Sequence, residues 1–168
     1  MPEKRTVQRA AQARRQGKAP TTQAGEFVRE EIHHIRQGKH GARSVKQAIA
    51  IGLSKARRSG VPVPPARKGS VSEKSRSSAK SATATGERGL SETSRTRSRA
   101  TTGALKREGG AAASKTALSR HSRSVARKQS AGDRSAAARK AAATKGAAGR
   151  SAAARKAVRT RTQKRTLQ

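Results

Sequence analysis

The large apolar residues of this chain nearly stop after Pro65. Val, Ile, Leu, Met and Phe number 12 in residues 1–65 but only 7 in the 103 residues that follow: Val71, Leu90, Leu105, Leu118, Val125, Val158 and Leu167. Burial of apolar surface is what offsets the entropy of ordering a chain. A segment this depleted is expected to have no core of its own. Charge acts in the same direction, because residues 1–65 carry a net +10 and the remainder +22 of the total +32, and like charge at that density opposes compaction. The expected organisation is a basic arm over 1–20, a helical domain over 21–65, a Ser/Thr/Arg-rich disordered linker over 66–110 and an Ala/Lys/Arg-rich repeat tail over 111–168.

With 41 Lys and Arg against 9 Asp and Glu, the chain calls for a polyanionic partner: DNA, RNA, an anionic membrane surface or an acidic protein. Nucleic acid is the commonest of these, and non-specific contact with the DNA phosphate backbone is the expected mode. The chain has no cysteine, which excludes disulfide frameworks and thiolate zinc sites. It holds no apolar run of the ~18 residues that a membrane span needs, and its first residues lack the apolar stretch of a signal peptide. No membrane partner is expected, and the location that fits is the cytoplasm, at the nucleoid.

Inside residues 21–65 the apolar pattern is helical. Thr22 is a candidate N-cap; Phe27, Val28, Ile32 and Ile35 then line one helix face, and Gly38 ends the helix. The second helix opens on Ser44-Val45-Lys46-Gln47, a capping box in which hydroxyl and amide each satisfy an orphan backbone N–H. Val45, Ile49, Gly52, Leu53 and Ala56 form its stripe, Arg57 and Arg58 suit the negative end of the dipole, Gly60 suits a left-handed cap, and Pro62 prevents continuation. The fold class expected is mainly α: a short helical hairpin (about 22–37 and 44–58) with a long, largely disordered basic tail that forms partial helices. Units below ~40 residues usually need a metal, a disulfide or a partner. A second copy meeting the Phe27/Ile32/Ile35 and Ile49/Leu53 faces, a protein partner, or nucleic acid would each complete the hairpin.

The turn between the two helices is Gly38-Lys39-His40-Gly41, with Arg43 before the next helix. Glycines allow close backbone approach to a phosphate, and helix N-termini favour anions. The spacing resembles the G-x-x-G loop by which KH domains hold a nucleic-acid backbone, although no KH strands are visible. The plainer alternative is that both glycines cap a tight helix connection while the basic residues face water. Nucleic-acid contacts in this half are expected from Lys39, His40, Arg43, Lys46, Arg57 and Arg58. Upstream, Glu30-Glu31-Ile32-His33-His34 contains two overlapping E-x-x-H spacings, which di-iron bundles use in pairs from separate helices. One hairpin supplies only one set. The face is expected to be solvated, with helical pairs such as Glu30 with His34, and neither a metal nor another cofactor is expected.

The run Lys46-Gln-Ala-Ile-Ala-Ile-Gly-Leu-Ser-Lys-Ala-Arg57 resembles the hallmark K-Q-A-I-A-I-[GA]-L-S-x-A-R of a short uncharacterised domain found in bacterial and phage-associated proteins. The likeness covers about residues 21–65 and implies a folded unit without an assigned activity. In the tail, Arg134-Ser-Ala-Ala-Ala-Arg-Lys-Ala recurs sixteen residues later from Arg150, and this composition resembles the basic tails of linker histones and bacterial histone-like proteins. Coil is expected in free solution, turning partly helical when phosphates neutralise the cations, with Leu118 and Val125 on one side of a helix from about Ala111 to Gln129. Ser94-Arg-Thr-Arg-Ser-Arg99 resembles protamine and RS-type sequences.

These features favour a sequence-tolerant, nucleoid-type DNA-binding protein that neutralises phosphate through Arg134, Arg139, Lys140, Arg150, Arg155 and Lys156. With one Phe and no Tyr or Trp, stacking platforms for single strands are lacking. The rival expectations are a protein-interaction hairpin tethered to DNA by the tail, and an RNA- or ribosome-associated factor. An enzyme is not expected, since serines and the single Asp133 lie in segments too loose to hold a catalytic geometry.

Overall fold

The computed structural model of the protein describes residues 2–89 and 95–166; Leu90, Ser94 and Leu167 lie outside them. Among the described residues seven helices follow one another: α1 (Lys4–Arg15), α2 (Pro20–Arg36), α3 (Val45–Arg58), α4 (Glu73–Glu87), α5 (Arg95–Lys106), α6 (Lys115–Lys128) and α7 (Ala131–Thr166), with a 3-10 turn at Ala111–Ala113 before α6. The same residues hold no strand, only an isolated bridge between Lys68 and Val71. The chain divides into two compact units, Met1–His121 and Ser122–Gln168.

The first unit is built on α2 against α3. The chain enters α2 at Pro20, two residues before the expected Thr22, because proline at the first helical position has a preset φ and no N–H to satisfy. The α3 start is as its capping box dictates: Ser44 Oγ accepts from the Gln47 N–H at 3.2 Å. The return arm reaches one residue further back than expected, with Gln47 Oε1 accepting from the Arg43 N–H at 2.7 Å. Gly38 and Gly60 close the two helices at φ 71° and 80°, a region costly for any side chain with a Cβ.

Small residues set the packing. Gly52 lets α3 approach α2 so closely that an added Cβ would stand 2.7 Å from Val28 Cα. Besides Arg57, the buried positions of α3 are therefore Val45, Ala48, Gly52 and Ala56, while Ile49 and Leu53 are only half-buried. Phe27 (0% exposed) and Leu53 pack with Ala10, Ala24, Ala56, Val61 and Val63. Ile35 and Ile32 pack with Ala42, Ala48, Ala112 and Ala113 in a second cluster. Phe27 and Ile35, expected to meet a second copy, are thus used inside the chain, while Ile32, Ile49 and Leu53 of the same faces are half-buried.

Two segments differ from their sequence-based expectation. Residues 4–15 form a helix against α2, through Thr6, Ala10 and Ala13 and an ion pair from Arg9 Nε to Glu26 Oε2 at 3.0 Å, in place of a basic arm. Residues 73–87 form α4 against α3, with Ala82 buried and Gly86 lying on the Arg57 carbonyl. Both helices pack through Ala, Gly and Thr, whose lack of bulk permits close backbone approach, so a pattern of large apolar side chains does not reveal them.

In the second unit the expected largely disordered tail is instead helical. Composition forbids a core there, and among the described residues from Ser122 onward none is buried, with Val158 60% exposed; only Ala112 and Ala113, at the start of the expected tail, pack into the first unit. A helix, however, needs only local hydrogen bonds and residues that tolerate them, and Ala, Arg and Lys rank among the best. The helices also carry their own punctuation. Ser130 Oγ accepts from the Asp133 N–H at 3.0 Å, a capping pair that starts α7. Sixteen residues later Gly146 (φ 64°, ψ 175°) breaks α7. At each break an arginine reaches back eight residues to a carbonyl: Arg134 Nη1 to Ala126 O at 3.5 Å, and more closely to Gln129 O at 2.6 Å, and Arg150 Nη1 to Ala142 O at 2.8 Å. The repeat seen in the sequence is a repeat of helix endings.

Candidate nucleic-acid interface

The connection from α2 to α3 is held by the protein's own backbone. Gly41 donates its N–H to Leu105 O at 2.8 Å, and Ala42 donates to Gly109 O at 3.1 Å. A Cβ on Gly41 would collide with the backbone of Glu108, so this glycine is required for a close approach between segments of the chain. Two N–H groups that a phosphate would need are therefore engaged. The geometry is that of a tight connection.

The four polar side chains of this region divide by direction. Lys39 is half-exposed, with Nζ 3.4 Å from Glu3 Oε1. Arg43 is 80% exposed, its Nε 3.7 Å from Glu108 Oε1, a separation at which solvent screens most of the attraction. Lys46 is exposed. His40 turns inward, with Nδ1 donating to Gly41 O at 3.0 Å and Nε2 facing Glu31 Oε1 at 3.1 Å.

At the far end of α3 the two arginines also part. Arg58 is exposed. Arg57 is only 8% exposed, donating from Nε to Val63 O at 3.0 Å and from Nη2 to Pro64 O at 3.1 Å. Burial lowers its pKa from the ordinary arginine value. Arg57 and His40 therefore serve the fold, contrary to the sequence-based expectation that both face phosphate. Pinning the Val63-Pro64 carbonyls is what turns the chain after Gly60 and sets Val61 and Val63 into the core.

The Glu30–His34 face, expected to be solvated, is largely interior: Glu30, Glu31 and His34 are buried and only His33 is exposed. Lys55, which no sequence motif marks, reaches in from α3 to within 2.6 Å of Glu31 Oε2 and 3.6 Å of Glu30 Oε1. His34 Nε2 lies 2.8 Å from Glu3 Oε1. That hydrogen bond, with Lys39 in support, holds the Glu3 carboxyl below its ordinary pKa against a smaller opposing desolvation. The spacing Glu-x-x-His was legible in the sequence. The arrival of His40, Lys55 and Glu3 from three other segments was not.

The six cations expected in the tail, Arg134, Arg139, Lys140, Arg150, Arg155 and Lys156, are all exposed. From Ser122 onward the chain has 14 Lys and Arg against one acid, Asp133. Asp133 Oδ2 is bound to the Ser130 hydroxyl at 2.8 Å. Such a surface is a continuous source of positive potential. Among the described residues no helix is long and apolar enough to cross a membrane.

Residues 20–67 match a family of unknown function (DUF6496). The matched segment runs from the first residue of α2 through α3 and the Val61–Val63 strap, and is similar to a small domain without an assigned activity. No curated protein and no solved structure matches the chain.

Proposed function

We propose that the protein binds duplex DNA without sequence preference, neutralising phosphate along an exposed helical tail, and that it acts at the nucleoid as a histone-like protein. The observation that carries the reading is the second unit itself: a helical segment with 14 cations and one acid, that acid already engaged in a cap. Phosphate contacts of this kind release counterions and carry no base information. In this reading the α2–α3 pair is a helical hairpin bearing the K-Q-A-I-A-I-G-L-S-K-A-R signature, and it presents Lys39, Arg43, Lys46 and Arg58 as a secondary basic edge. Chemistry on a substrate has no part in it.

The test replaces Arg139, Lys140, Arg155 and Lys156 together by alanine, which preserves or raises helix propensity. Anisotropy titrations with duplex DNA, single-stranded DNA and structured RNA over about 50 to 200 mM salt should show duplex preferred. The slope of log affinity against log salt should flatten by about 0.9 for each phosphate that the variant no longer neutralises. Unchanged duplex affinity after deletion of residues 122–168 would overturn the tail-centred mechanism and favour a hairpin that recruits a protein partner. Tighter binding to structured RNA would favour the RNA-associated reading.

A further inference from the structure

We infer that Glu31, His34 and His40 form a binding site for a divalent transition-metal ion of the zinc type. Their ligand atoms all lie within 4.8 Å of one another. Glu31 and His34 stand one turn apart on α2, and His40 comes from the connection to α3. Two imidazole nitrogens and one carboxylate oxygen are a donor set suited to Zn²⁺ and its first-row neighbours. Metal–ligand bonds of about 2.1 Å in a tetrahedron put donor atoms about 3.4 Å apart; His40 Nε2 and Glu31 Oε1 already stand at 3.1 Å, and the widest pair need close by at most about 1.4 Å, within reach of side-chain rotation.

The carboxylate supplies the second observation. Glu31 is 0% exposed, and neither of its oxygens makes an aligned hydrogen bond. The contacts from His40 Nε2 to Oε1 and from Lys55 Nζ to Oε2 are close in distance but off-axis. A buried carboxylate lacking aligned donors is costly.

The outer partners agree with this. The His40 Nδ1–H goes to Gly41 O, leaving the Nε2 lone pair for a metal. Glu3 Oε1 takes the Nε2–H of His34, leaving Nδ1 as its ligand nitrogen. Hydrogen-bonded carbonyls and carboxylates behind ligand imidazoles fix the tautomer in this manner. Charge is favourable too: three of the chain's nine acids, Glu3, Glu30 and Glu31, gather here against Lys39 and Lys55. The surroundings are locally acidic in a chain of net charge +32. A bound ion braces the α2–α3 connection against the middle of α2.

The test uses the full, untagged chain, stripped of metal and nucleic acid, titrated with Zn²⁺ against a chromogenic chelator and with Co²⁺ for its visible absorption. One equivalent should bind, with a tetrahedral Co²⁺ band and a rise in thermal midpoint. His40→Gln should weaken affinity at least about tenfold, while His33→Gln and His121→Gln leave it unchanged. In the unaltered chain, one equivalent of Zn²⁺ should shift the ring resonances of His34 and His40 and spare His33 and His121, a readout that needs no variant to fold. Absence of stoichiometric binding, binding indifferent to His40→Gln, or shifts at His33 or His121 would overturn the site and leave an ion-pair cluster alone.

Discussion

The two units reach the same secondary structure by opposite routes. In α1 to α4 helices exist because faces of Ala, Gly, Thr and a few large side chains close on one another, with Phe27 and Ile35 at the two centres. In the tail helices exist because each residue favours the conformation locally and each ending is capped from within the segment. Helicity alone therefore says nothing about cooperativity. The first unit should melt as a whole and the second should fray residue by residue.

Hydrogen exchange offers the sharpest break of that comparison. Amides of α2 and α3 open only with the unit, whereas exposed α7 amides open locally, so protection should differ by about a thousandfold. Equal protection along both would dissolve the distinction. Next in size is Phe27→Ala, expected to destabilise the first unit by about 3–5 kcal/mol while leaving the circular dichroism that the tail contributes in place after the unit has melted. Gly52→Val should cost about 1–3 kcal/mol, because its side chain meets Val28 backbone and cannot move aside; an unchanged midpoint in urea would mean that α2 and α3 approach less closely than described. Ser44→Ala should remove about 1 kcal/mol along with the cap, read in the same urea titration. The smallest effect is in the tail, where Gly146→Ala disfavours the left-handed break by about 1 kcal/mol. It should lengthen α7, raising ellipticity slightly with no shift in the first unit's midpoint.

What could be read from the sequence was whatever is written locally. The α3 boundaries follow from Ser44, Gln47, Gly60 and Pro62, all within a few residues of the events they govern. The residues matched by the family, 20–67, also nearly coincide with the expected domain. Long-range placement was not legible. Arg57 has the sequence position of a dipole-facing surface cation, and only the turn at Val61–Pro64 shows that its guanidinium has carbonyls to serve. Thr6, Ala10, Ala82 and Ala112 are buried without belonging to any large-apolar stripe. The expectation of disorder after Pro65 followed from the absence of a core, a requirement for tertiary structure that does not bind an isolated helix.

The matched helix breaks at Ser130 and Gly146 have a consequence for how such a chain can change over generations. A sixteen-residue segment whose helix end is met by the first arginine of the segment after it, and which packs on no core, can be duplicated or excised in frame without renegotiating a tertiary fold. The stretch Arg134–Gly149 carries four cations and no acid, so each copy would add a fixed quantum of grip on a polyanion. Tail length then behaves as a dial with evenly spaced stops, turned independently of the packed unit that precedes it.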